Sequence, residues 1–277
     1  MGAWVSGANH SIRFVVEGRM KISVFAACLL AAVSSFAGVT YDFHSETVGL
    51  QQSVVDGTVA VEGPNVRMSM VHGDGIVFKD GTTLLSRDGG KTLAVYDASA
   101  KTFFEIGLDD LTASAAGMLK NLPVKIDFSN PVVKVQKAEA GRRVEGYPAE
   151  KSVVDATIDI NIDMSGRKMT SKMLMHSENW TTGALGAVGA NIFQQRNVRT
   201  GIDALDKLIA AQWSSLEGRF PLKQMTTVHL IQNGHEVTTT TTTSVTNIKQ
   251  KALDASTFAA LAGYKRVDSP VEAMKKR

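Results

Sequence analysis

Five of the six histidines, those beyond residue 37 (His44, His72, His176, His229 and His235), and one acidic triplet (Asp159, Asn161 and Asp163) are the residues here whose types could carry chemistry. The triplet alternates like a calcium loop. An EF-hand loop, however, needs glycine at its sixth position for the turn and glutamate at its twelfth as bidentate ligand. Here those positions hold Met164 and Thr170. Ile158, Ile160 and Ile162 fill the alternate positions, so the triplet reads as the solvated face of a half-buried strand. No two of the five histidines stand four residues apart and none lies beside a cysteine, so the spacing writes no zinc site. The sequence also lacks a nucleophile elbow, a Walker loop and a dinucleotide fingerprint. "GDGIVF", at 73–78, is a turn without the third glycine or a following helix. A Ser/His/Asp triad assembles only in space and leaves no spacing to read. The expectation is a protein that is not an enzyme, with no catalytic residue, no metal and no cofactor.

What the sequence does offer is apolar contact. Methionine is frequent, at 11 residues, while aromatic content is 6%. Met68, Met70, Met164, Met169, Met173 and Met175 all fall in predicted strands, and alternation puts Met169, Met173 and Met175 on one face. Flexible thioethers suit a surface that adapts to irregular apolar shapes, and they also fill cores. Trp180 and Trp213 read as core anchors ahead of ligand platforms. The residues expected to line a ligand cavity are Tyr41, Phe43, Met68, Met70, Phe104, Met173, Met175 and Trp213.

The elements that would position them are mostly strands. From Val39 to Ile106 short alternating runs recur about every ten residues, with Asp80-Gly81 and Asp88-Gly89-Gly90 as hairpin signals between them. This spacing predicts an antiparallel meander. Over 109–122 the period changes: Leu108, Leu111, Ala115, Met118 and Leu122 recur at three- and four-residue steps and predict a helix ending before Pro123. Strands resume through Trp180. A second helical region spans about 182–216, its clearest part carrying the stripe Ile202, Leu205, Leu208, Ile209, Trp213 and Leu216, with Gly218 as the stop. Asn233-Gly234 predicts a two-residue hairpin. Its register sets Leu230 opposite Val237 and Val228 opposite Thr239. It also makes the six-threonine run Thr238 to Thr243 a strand, with Thr239, Thr241 and Thr243 on the inward face. "DASTFAAL", at 254–261, predicts a last short helix with Asp254 as N-cap.

Composition and the N-terminus bound the class. The chain has 277 residues, 44% hydrophobic and 21% charged, an ordinary globular balance. Its formal charge of +3 is too small to point to nucleic acid. "MKISVFAACLLAAVSSFAG" begins at Met20 with a basic start, continues apolar, and ends in small residues at the spacing of a cleavage site. We therefore expect a signal peptide over 1–37, cleaved after Ala37, with residues ahead of Met20 as an upstream extension. One domain over 38–268 and a basic tail over 269–277 complete the expected organisation. "MGAWVS" matches a myristoylation pattern, which the export signal downstream outweighs. The single cysteine, Cys28, lies inside the leader. The residues after it stay apolar, unlike a lipidation site, and the exported chain has no disulfide to rely on.

Several short motifs resemble the LolA/LolB-like lipoprotein-carrier superfamily. "RMSMVHGDGIVFKDGTTLLSRDGGKTLAVYDASAKTFFEI" has its theme of an Arg/Met strand, then a strand ending in Tyr-Asp, then a Lys-Thr-aromatic strand. "GRRVEGYPAEKS", "MLMHSENWTT", "GRFPLK" and "TFAALAGYKRV" are similar, in this order, to a secreted bacterial domain-of-unknown-function family of that superfamily. The resemblance covers roughly 39–268. It implies an α+β fold: a large curled antiparallel sheet, a half-barrel, with two or three helices covering the concave face. It also implies a cavity for acyl chains of lipoproteins or other lipids. In LolA a cavity-lining arginine is implicated in gating. Arg67 here alternates to the face opposite Met68 and Met70, so that role is not carried over.

The expected function is a periplasmic or envelope protein holding a lipid, a hydrophobic small molecule or a lipoprotein acyl chain. It would be a monomer with peripheral outer-membrane association and no nucleic-acid partner. The alternative is a non-catalytic interaction or sensor module with a filled core. A hydrolase is the third reading, and a Ser/His/carboxylate cluster in a cleft would revive it.

Overall fold

Alternation of apolar and polar residues commits most of the described residues to strands, and twelve of these join one sheet in the computed structural model. The described residues are 38–49, 52–73, 79–107, 110, 125–164, 167–186, 200–216 and 218–269. The expected leader over 1–37, nearly all of the expected helix over 109–122, and the tail from 270 lie outside them.

The first meander comprises β1 (Gly38–Val48), β2 (Ser53–Glu62), β3 (Asn65–His72), β4 (Thr82–Ser86), β5 (Thr92–Asp97) and β6 (Thr102–Gly107). The second comprises β7 (Lys125–Val144), β8 (Tyr147–Met164), β9 (Arg167–Thr182), β10 (Phe220–Gln232) and β11 (His235–Lys251). Between β9 and β10 lies α1 (Asp203–Leu216), the one α-helix with a bounded span among the described residues. A final short strand is β12 (Lys265–Arg266). The order is β12-β6-β5-β4-β3-β2-β1-β11-β10-β9-β8-β7, so β1 pairs with β11 and joins the two meanders. The sheet does not close, because β7 and β12 stand at opposite ends. Every pairing is antiparallel except that of β12, which runs parallel to β6.

Turn chemistry sets the register. Asn233 and Gly234 both have positive φ, 51° and 80°, as a two-residue hairpin with the sheet's twist requires. The resulting pairs are those the sequence predicts, Leu230 with Val237 and Val228 with Thr239. The threonine run is thus the body of β11. Asp88 closes the β4–β5 turn by accepting from Ser86 Oγ at 2.9 Å and Thr92 N at 3.0 Å. β7 is longer than the runs suggest: "KIDF" and "VVKVQKAE" are parts of one strand, bent where Asn130 has φ 52° and Pro131 follows. An edge strand tolerates this, since its outer N–H groups pair with no neighbour.

One helical expectation changes, and another lies mostly outside the described residues. Among the described residues one α-helix packs on the sheet, against β7, β8 and β9, where two or three were expected. The segment over 254–261 is not an α-helix but a single 3-10 turn, Ala255–Phe258, between extended stretches. Asp254 still caps it, accepting from Ser256 N at 2.7 Å. The segment must cross several strands, placing Leu253, Phe258, Leu261 and Tyr264 against Leu85, Tyr96 and Phe103. An α-helix rises about 1.5 Å per residue and would fall short of the distance that 3-10 and extended backbone cover.

Gly57 on β2 lies opposite Phe43 in register. A Cβ there would come 2.6 Å from Phe43 Cε1 and 2.5 Å from the Ser69 carbonyl oxygen. The ring could shift, but the backbone oxygen is held in the β2–β3 ladder. Gly57→Ala is therefore expected to cost about 1–3 kcal/mol, as overpacking does. Gly183→Ala, with nothing within 4 Å of the added carbon, should leave stability near wild type. Urea unfolding midpoints of the two variants check this, and equal midpoints would refute the close approach at Gly57.

Candidate functional site

Directly opposed residues of antiparallel strands point to the same face. Registers therefore show which candidates meet. Tyr41, Val59, Met68, Leu84, Val95 and Phe104 form one row across β1 to β6. Phe43, Gly57 and Met70 form the next row, and Phe43 also faces Val245 of β11. All but Gly57 belong to one apolar cluster, in which Phe43 and Phe104 are partly buried. On the same face, beyond two polar rows, Met175 lies between Val228 and Ala156, and Met173 lies between Leu230 and Ile158. These make a second cluster with Ala204, Leu205 and Leu208 of α1. Seven of the eight expected residues thus share one sheet face, divided between two clusters. The eighth, Trp213, stands on α1 and belongs to neither. Its indole Nε1 is buried without a hydrogen-bond partner.

Choosing lining residues by apolar type overlooks the two polar rows. One runs Ser45, Thr243, Gln224, Asn179 and Ser152; the other runs Thr47, Thr241, Thr226, Ser177 and Val154. Alternation offers the signal, because Ser177 and Asn179 continue the parity of Met173 and Met175. Their hydroxyls pair across strands: Ser45 with Thr243 at 2.9 Å, Thr47 with Thr241 at 3.0 Å, and Ser177 with Thr226 at 2.9 Å. This belt also docks the end of α1. Ser152 Oγ donates to the Ser215 carbonyl at 3.1 Å, one of the carbonyls that a helix end leaves without an internal partner. Asn179 Nδ2 donates to Ser215 Oγ at 3.1 Å, while Asn179 Oδ1 is buried unpartnered.

At the centre of the first cluster Tyr41 is 7% exposed and meets the Phe220 ring edge-on at 5.2 Å. Burial pushes its hydroxyl well above the usual tyrosine range, so it stays neutral. Trp180 is likewise a core residue, with the ammonium groups of Lys151 and Lys223 over its ring at 5.3 and 5.4 Å.

The opposite face carries His44, His72, His176 and His229. His44 Nδ1 and His72 Nδ1 both meet the Asp56 carboxylate, at 2.5 and 3.2 Å. His176 pairs with Asp155 at 2.7 Å and His229 with Glu236 at 2.5 Å. Among the described residues no three His, Cys, Asp or Glu side chains gather as a metal site. Asp159 and Asn161 are engaged by neighbours on the strand face, Asn130 Nδ2 at 2.9 Å and Ser129 Oγ at 3.0 Å. Ser244 lies opposite His44 in register.

No family model matches this chain, and no curated protein matches it. Solved structures similar to it include a LolA superfamily protein from Nitrosomonas europaea (9% identity, 81% of this chain and 90% of that chain, TM-score 0.30). A domain described as an outer membrane lipoprotein-sorting protein, from Vibrio parahaemolyticus, aligns at 9% identity over 85% of this chain and 94% of its own, TM-score 0.32. A DUF1329 family protein from Desulfovibrio piger aligns at 10% identity over 86% and 96%, TM-score 0.31. These descriptions match the resemblance read from the sequence motifs.

The His44 hydrogen bond, with that from His72, holds the Asp56 carboxyl below its ordinary value of 3.8. A carboxylate whose folded pKa is depressed adds stability above its unfolded pKa, and this is lost as pH falls through the folded value. Asp56→Asn should therefore be less stable than wild type near neutrality, with the gap closing once pH falls below the ordinary carboxylate value. Urea midpoints across an acid series check this, and a gap that stays constant with pH would contradict it.

Proposed function

We propose that this chain is an exported envelope protein that holds a lipid or other hydrophobic ligand against the Met-rich face of its sheet. The single observation that carries the reading is the sharing of that face by Tyr41, Phe43, Met68, Met70, Phe104, Met173 and Met175. Thioethers and aromatic rings form an adaptable apolar surface rather than one cut for a single shape. An apolar chain gains about 0.8 kcal/mol per buried CH₂, so partial burial of one acyl chain suffices for retention. The hydroxyl belt raises little objection, because Ser45, Thr47, Thr226, Thr241, Thr243 and Ser177 already pair across strands and Ser152 bonds α1. A lipoprotein acyl chain fits the same chemistry as a free lipid. The binding is non-catalytic in this reading, and the histidine–carboxylate pairs stand on the other face. Placement in the periplasm or at the outer membrane rests on the leader-like pattern of 20–37.

A native mass spectrum of gently purified protein, with extraction of its lipids, tests this. Bound lipid is the expected result. Phe104→Ala and Met173→Ala, which shorten partly buried side chains at the two clusters, should each lower retention by roughly tenfold. A folded protein that stays empty in both assays would overturn carriage and favour an interaction module with a filled core.

A further inference from the structure

We infer that the opposite face of the sheet carries a second, separate site, which binds a phosphate group. An open groove of about 690 Å³ lies there, between β11, β1, β2 and β3 and the C-terminal segment that crosses over them. Its floor is ordered by register. One row across the four strands reads Arg67, Ala60, Thr40 and Lys249. The next row begins Ser69, Thr58 and Asp42. Basic side chains therefore stand at both ends of a row whose middle is small, with hydroxyls beside it.

Among the described residues the two cations form no ion pair. Arg67 is half-buried, and its Nη1 donates to a neutral acceptor, the Thr257 carbonyl, at 3.3 Å. Among the described residues no carboxylate pairs with Arg67 or with Lys249. Elsewhere cations near the sheet do pair, as Lys79 with Asp97, Lys151 with Glu178 and Arg266 with Glu105. A guanidinium taken partly out of water ordinarily finds an anion. Arg87 shows the contrast: its Nε donates to the Phe258 carbonyl at 2.9 Å and anchors the same crossing segment, but it does not line the groove.

The donor set selects the anion. A planar fork, an ammonium and several hydroxyls approach from different directions, which suits a tetrahedral oxyanion better than a two-oxygen carboxylate. Asp42 sets the limit. Its Oδ2 accepts from Asn247 Nδ2 at 2.7 Å, and it opposes a second negative group at that end of the groove. The ligand is thus a single phosphate ester whose remainder is neutral or cationic. A phospholipid headgroup and a soluble phosphate ester both have this chemistry. The site stands on the face opposite the methionine clusters and does not rest on lipid being held there.

The test uses the full folded chain with two probes. Glycerol 3-phosphate is titrated while amide and Arg Nε–H signals are followed by NMR. In parallel, the protein is co-sedimented with phosphatidylcholine vesicles with and without phosphatidylglycerol. The expected result is saturable shifts at Arg67, Ser69 and Thr257, with Arg67→Gln weakening binding about tenfold or more. Arg67→Lys, which keeps the charge and loses the fork, should fall between. Lys249→Gln, an exposed change, should weaken binding several-fold and serves as the deciding variant if Arg67→Gln does not fold. Shifts with the soluble ester alone identify a soluble ligand; Arg67-dependent sedimentation with either vesicle identifies a headgroup, since phosphatidylcholine and phosphatidylglycerol each carry one phosphate ester, and either outcome supports the site. Absence of both responses, or responses unchanged in all three variants, overturns it. Phe104→Ala should leave phosphate binding unaltered, so failure of lipid carriage and failure of this site are read separately.

Discussion

The fold hangs on one ladder, β1 with β11. Each meander is held by local hairpins, but only this pairing makes them one sheet, and it joins residues about two hundred positions apart in sequence. The ladder is specified on both faces. Inward, Phe43 meets Val245, and Ser45 and Thr47 exchange hydrogen bonds with Thr243 and Thr241. Outward, a bulge near Asn247, whose φ is 54°, turns its amide onto Asp42. A slip of one residue would exchange these sets and bury Asp42 and His44. The closure entropy of so long a loop is repaid only when the whole seam forms, a topology that tends to fold slowly.

From that seam follow the two unlike faces. Because the registers of ten strands agree, apolar residues chosen independently in each strand accumulate on one side, where they make two clusters separated by a belt of paired hydroxyls. The belt is not a defect in a greasy surface: it holds the end of α1 through Ser152, Asn179 and Ser215. The other side receives four of the histidines, their carboxylates and the groove containing Arg67. The C-terminal crossing segment protects only part of this second side, over Leu85, Tyr96 and Phe103.

Much of this is legible in the residues themselves. The hairpin at Asn233-Gly234 and the pairing of Leu230 with Val237 follow from positive φ and alternation, and β-branching with flanking alternation marks the threonine run as a strand. The parity that sets Arg67 opposite Met68 holds as well. The cavity residues are legible as apolar positions, not as a site. Nothing local says that Met173 of β9 and Met70 of β3 lie on one face, since that depends on the register of every strand between them. The short C-terminal segment reads as a helix because "DASTFAAL" has helical propensity, whereas the span it must cross demands a more extended path.

By itself, then, the sequence determined the strands, their turns and the parity of each side chain, because these depend on neighbours within a few residues. It also carried the leader pattern and offered no local motif for metal or nucleotide chemistry. Only the tertiary structure decided strand order, and with it which residues meet. It divided the expected lining between two clusters, set a hydroxyl belt between them, and gathered Arg67, Lys249 and Thr257 around one groove. The physical reason is that backbone alternation is a property of each strand, whereas a face is a property of the ladder that aligns them.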